Sequence, residues 1–117
     1  RPGETLIIPK KHVDHFTDLS DEVAGRIIHI AQRIGRALIA CYQPDRVGYI
    51  VHGYGVAHAH FIVLPQHDPY DITSARFAEV RDGEVRFSLD RLTSPTRTEL
   101  DAHAAEIRAH LKPPIES

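Results

Sequence analysis

At 117 residues, 42% of them hydrophobic, the chain has the size of one compact domain with a real core and not of two. A formal net charge of -2, with acidic and basic residues interspersed, removes the electrostatic case for binding long nucleic acid, and the single cysteine, Cys41, excludes an intramolecular disulfide framework and a cysteine-rich zinc site. No apolar run approaches the roughly 20 residues that span a bilayer and the N-terminus lacks the apolar core of a signal peptide, so no membrane partner is expected and the cytoplasm is the default location.

Thr5-Leu6-Ile7-Ile8 before Pro9 predicts a short buried strand, entered from the Pro2-Gly3 turn and stopped by a residue that cannot donate to the ladder. Lys10-Lys11-His12 then leaves the sheet at what reads as a solvated end. Val23, Ile27, Ile30, Ile34, Leu38 and Cys41 recur at intervals of three or four and predict a long helix from about Ser20 to Tyr42. Ser20 is its expected N-cap, and Asp21 and Glu22 in the first turn favour the helix dipole.

Gln43-Pro44-Asp45-Arg46 breaks that helix. Val47 to Val51 and Val56 to Leu64 predict two strands joined through His52-Gly53-Tyr54-Gly55, where two glycines suit a tight reversal, and Pro65 is expected to end the second strand. Phe77 to Val80 and Glu84 to Leu89 flank Arg81-Asp82-Gly83 as a further hairpin. Ser94-Pro95 introduces a second helix, lined by Leu100, Ala104, Ile107 and Leu111 and closed by Pro113-Pro114. The sum is a single α+β domain over residues 1–117: an antiparallel sheet of about five strands, one long helix packed on it, and a C-terminal helix.

The chemistry concentrates in Gly53 to Pro65, which sets His58 and His60 at i and i+2 inside an apolar run. On a strand that spacing puts His58, His60 and Ile62 on one face and Ala57, Ala59, Phe61 and Val63 on the other, one face for chemistry and one for the core.

Two motifs, Pro2-Gly3-Glu4-Thr5-Leu6-Ile7-Ile8-Pro9-Lys10-Lys11-His12 and Gly53 to Pro65, bridged by one amphipathic helix, resemble the histidine triad (HIT) family of nucleotide hydrolases and transferases. The resemblance covers roughly residues 2–66. It implies a catalytic pair: His60 as the nucleophile toward the α-phosphorus of a nucleotide, through a nucleotidyl-histidine intermediate, and His58 as the residue that orients the site. A neutral imidazole is a competent nucleophile at pH 7 and makes a labile phosphoramidate. Phosphate-binding backbone N–H groups are expected at Gly55 and Val56, because glycine lets the backbone approach closely. The resemblance further implies a nucleotide or nucleotide conjugate as substrate, no cofactor, no metal, and a homodimer paired through the long helix and an edge strand.

The chain departs from the family pattern at several places. Ile62 stands where the third histidine belongs, which removes a charge-assisted hydrogen bond worth about 1.5–3 kcal/mol. Glu4 follows Gly3 where many members carry histidine, Gly55 replaces a polar residue before the motif, and the family's N-terminal strand is absent from the sequence, which opens at Arg1 without a methionine as a fragment would. Two competing readings follow. One is a degenerate protein of this family that binds nucleotides without turnover. The other is a divalent-metal protein using His58 and His60 with His67 or Asp68.

Overall fold

A computed structural model gives the fold and describes residues 1–72, 77–88, 93–113 and 115. In chain order the elements are β1 (Thr5–Ile7), α1 (Asp21–Tyr42), β2 (Arg46–Ile50), β3 (Phe61–Gln66), β4 (Ala78–Arg81), β5 (Glu84–Phe87) and α2 (Arg97–Ala109), with a 3-10 turn at Phe16–Asp18. The architecture is α+β. β1, β3 and β2 lie side by side in that order, antiparallel throughout, with Ile7 opposite Phe61 and Ile50 opposite Ile62.

α1 forms where its apolar spacing places it, and both ends are capped. The Ser20 hydroxyl accepts the Val23 N–H at 3.2 Å, and Gln43 adopts the left-handed region at φ 48 while its N–H reaches the Ile39 carbonyl. Ile27, Ala31 and Leu38 descend one side of the helix onto Ile7, Phe61 and Val63, and these six residues form the core cluster. Burying side chains such as Ile27 and Leu38 contributes about 1.5–3 kcal/mol each. α2 begins at a capping box, with Thr96 and Glu99 bonded reciprocally. It docks on α1 through Ile107 against the core, an edge-on contact of His103 with Tyr42, and the Arg33 Nε–H donated to the Lys112 carbonyl at 2.8 Å.

Three features differ from the sequence reading. First, the strands divide into a three-stranded sheet and a separate β4–β5 ribbon. The expected hairpin is present, turned by Asp82 and Gly83 at φ 54 and 78, but Val80, Val85 and Phe87 are all exposed, so nothing draws the ribbon into the main sheet. Leu89 and Pro114, expected to end a strand and to close α2, lie outside the described residues, and Leu111 falls just beyond the end of α2.

Second, β3 starts at Phe61 and not at Val56, so His58 and His60 precede the strand. Pairing to β1 stops at Ile7 and pairing to β2 stops at Ile50, which leaves residues 51–60 as a loop with no ladder to join. Third, Pro65 is a buried residue within β3, opposite Val47. β1 begins at Thr5, opposite Val63, so the stretch of β3 beyond Val63 is an edge on that side, the setting in which a missing N–H costs no ladder bond.

Candidate functional site

Because β1 and β3 run antiparallel, the segment leaving β1 passes alongside the segment entering β3. The Ala59 N–H donates to the Val13 carbonyl at 2.7 Å and ties the two together. His58 then reaches across twice. Its Nε2 is 3.0 Å from the Pro9 carbonyl, and since a carbonyl only accepts, Nε2 carries the hydrogen. In the neutral ring that leaves Nδ1 as an acceptor, which takes the Nδ1–H of His12 at 3.0 Å.

His60 is held in a defined tautomer as well. Its Nδ1 lies 2.9 Å from the His58 carbonyl and must donate, so Nε2 bears the lone pair. Among the described residues nothing hydrogen-bonds that Nε2. The imidazole is buried at 7% exposure, with the His52 ring packed edge-to-face against it, centroids 5.5 Å apart and planes at 87°. The arrangement is a backbone-anchored imidazole with an uncommitted nucleophilic nitrogen.

His52, Val56, His58 and His60 line a cavity of about 200 Å³ that is closed on its other side by Asp14, His15, Phe16 and Thr17. Pockets that enclose a drug-sized molecule run from roughly 300 Å³ upward, so this one has room for a small group and not for a whole nucleotide. A larger cleft of about 720 Å³ lies elsewhere, between residues 1–6 and α2, and contains none of these histidines.

The sequence-predicted residues are distributed unevenly. His58 and His60 are brought together, though on a loop and not on a strand face. Val56 lines the cavity, whereas Gly55, at φ 105, is exposed beside it. Ile62 is half-buried in β3, opposite Leu6 and Ile50, and does not line the cavity, and Glu4 faces the larger cleft.

The metal reading loses its ligand set. His67 and Asp68 follow the far end of the six-residue β3, about 20 Å from His60 at a strand rise of roughly 3.3 Å per residue. Their amides are instead held by the buried Asp71 carboxylate at 2.6 and 3.0 Å. Among the described residues no three His, Cys, Asp or Glu side chains are placed to hold a metal ion.

His12, which reads from sequence as a solvated strand end, reaches the site through His58, and His52, which the sequence does not single out, packs on His60. The signal for His12 was present in the order of the motifs, since pairing Ile7 with Phe61 carries Pro9 to Val13 past His58 to His60. His52 was obscured by the glycines around it. Cys41 lies between α1 and α2, 3.3 Å from His110 and outside the cavity. Desolvation first and the Glu106 charge second raise its thiol pKa, which makes it a weak nucleophile.

The family model of the HIT domain matches residues 1–69. An uncharacterised HIT-like protein of Mycobacterium tuberculosis is 28% identical over 109 residues, 89% of this chain and 76% of its own length. The protein hit of Bacillus subtilis is 28% identical over 74 residues, and the match spans 59% of this chain but only 51% of that relative. Among solved structures, a HIT-like protein of Bartonella henselae involved in cell-cycle regulation superposes with a TM-score of 0.69 at 23% identity, covering 94% of this chain and 72% of that one. A zinc-bound histidine triad protein of Mycobacterium smegmatis gives 0.62 at 22%, covering 93% and 71%. At such identities the structural likeness speaks for the fold.

Proposed function

The chain belongs to the HIT domain family, whose members are nucleotide-binding hydrolases and transferases, and from that premise we propose that it acts at the α-phosphorus of a nucleoside phosphoramidate, dinucleoside polyphosphate or similar nucleotide conjugate. The lone pair of His60 Nε2 attacks the phosphorus, a P–N bond forms, and the bond to the leaving group breaks with its electron pair. The imidazolium so formed keeps its Nδ1–H on the His58 carbonyl, which stabilises the new positive charge. Water or an acceptor alcohol then displaces Nε2 and returns the enzyme to its starting state. His58, tied to Pro9 and His12, holds the carbonyl that orients His60. The amides of Gly55 and Val56 supply donors to the phosphate from the rim. We place the enzyme in the cytoplasm as a homodimer.

The observation that carries this reading is the single hydrogen bond from His60 Nδ1 to its own chain two residues back, which leaves Nε2 uncommitted on a ring that lines a cavity of phosphate-accommodating size. Intact-mass spectrometry after incubation with a panel of nucleotide conjugates tests it. One added nucleotidyl group on the wild type, absent from His60→Ala, is the expected result. A wild type that acquires no nucleotide and releases no product from any member of the panel would overturn it.

A further inference from the structure

The imidazoles at the cavity are not equally occupied. His58 uses both ring nitrogens, on Pro9 and His12, and His60 uses Nδ1 on His58. His15 sits 4.0 Å from the Asp14 carboxylate. Among the described residues neither His15 nor His52 has a ring nitrogen hydrogen-bonded, and of the two it is His52 whose ring is in direct contact with His60 while lining the cavity. Nothing in the chemistry described so far uses it.

The reaction lacks what His52 can offer. Displacement at phosphorus spreads negative charge over the equatorial oxygens, and catalysis rests on positioning and on donors aimed at that charge. Ile62 carries no donor and lies between Leu6 and Ile50, outside the cavity. An in-line displacement puts the leaving group at the far end of the attack axis, whereas the equatorial oxygens stand beside it. His52, perpendicular to His60 with ring centres 5.5 Å apart, is beside the attacking ring.

We propose that His52 is a catalytic residue that donates an N–H to a non-bridging oxygen of the phosphoryl group during transfer, the role for which position 62 has no side chain. The proposal rests on His60 being the nucleophile. His52 keeps its proton throughout: the P–N bond to His60 forms, the leaving group departs with its electron pair, and the donated hydrogen bond strengthens as the oxygen gains charge. It therefore accelerates both formation and hydrolysis of the intermediate.

The test compares wild type, His52→Ala and His52→Gln on a nucleoside 5′-(p-nitrophenyl) phosphate and on the matching phosphoramidate, following both product release and the covalent nucleotide by mass. Loss of one such donor costs roughly 10²–10³-fold in enclosed sites, and at this exposed position about tenfold to a hundredfold is expected for His52→Ala. The loss should be equal on the two substrates, because it does not depend on the leaving group. His52→Gln, which retains a donor, should recover most of the rate. A loss confined to the phosphoramidate would make His52 a proton donor to the leaving group and overturn the assignment, as would an unchanged rate in His52→Ala or an equal loss in both variants. A wild type that never carries nucleotide on His60 would instead remove the nucleophile reading and this one with it, an outcome visible before any variant is made.

Discussion

The Nδ1 atoms of His12 and His58 lie 3.0 Å apart, joining residues 46 positions apart in the chain. With His58 Nε2 donating to Pro9, this bond sets the tautomer of His58 and holds the backbone whose carbonyl orients His60. His12→Ala should therefore lower kcat about threefold to tenfold, matching the roughly 0.5–1.5 kcal/mol of one net hydrogen bond. Global stability should change little, since His12 is exposed. Steady-state kinetics on the wild type and variant, with ¹⁵N shifts of the His58 ring, check both parts. An unchanged kcat with an unchanged His58 tautomer would show that the pair is not coupled to the site.

Two glycines in α1 should respond oppositely to alanine. A Cβ at Gly25 meets nothing within 4 Å, so Gly25→Ala should gain the roughly 0.5–1 kcal/mol that glycine costs in a helix interior. A Cβ at Gly35 runs into the Tyr49 hydroxyl and lies 3.2 Å from its Cζ. Overpacking costs about 1–3 kcal/mol, more than the helix gain, so Gly35→Ala should lose stability. Urea midpoints of the two variants provide the comparison. A stabilised Gly35→Ala would mean that Tyr49, half-exposed, swings away without cost.

The cap of α2 carries a pH dependence. Hydrogen bonds first from the Thr96 backbone N–H, then from its hydroxyl, lower the Glu99 pKa from the usual carboxylate value of 4.5. A carboxylate whose folded pKa lies below its unfolded value stabilises the fold fully above the unfolded value and loses that contribution as pH falls through the folded one. Protection of the α2 amides should therefore decline on acidification below about pH 4.5 in the wild type. In Glu99→Gln the same decline should be smaller. Hydrogen exchange at pH 6 and pH 3.5 distinguishes them, and parallel behaviour of the two proteins would remove the cap as its source.

Homodimer formation is expected from the outer side of α1. Ile28 and Ile39 are exposed on one flank of it, as is Tyr49 on the edge strand β2. A standard interface of roughly 1,200–2,000 Å² would cover such a surface. Sedimentation equilibrium should report a dimer at micromolar concentration, and Ile39→Glu should shift it toward monomer. A monomer whose mass is constant over a tenfold rise in concentration would contradict the expectation.

Legibility in the sequence followed the strength of local signals. Both ends of α1 were readable, because Ser20 and the Gln43-Pro44 break act within a few residues. The Asp82-Gly83 turn was readable for the same reason, yet whether its ribbon joins the main sheet depends on packing that no local pattern encodes. The apolar alternation from Val56 to Leu64 suits a strand throughout, but a strand also needs partners, and these end at Ile7 and Ile50. His58 and His60 were found by their spacing. His12 was not, since its proximity is created by the antiparallel crossing of segments far apart in sequence, and His52, on the same loop as His60, was obscured by the glycines around it.

That crossing has a consequence for how the molecule opens. The bond from the Ala59 amide to Val13 closes a loop that contains all of α1 and β2. If the first thirteen residues lift away, His58 loses both of its partners, Pro9 and His12, at the same moment. Catalytic competence and docking of the leading segment are then a single equilibrium, and the deuterium uptake of one amide, Ala59, reads its position. A ligand that binds only the docked form must slow that uptake by the factor 1 + [L]/Kd.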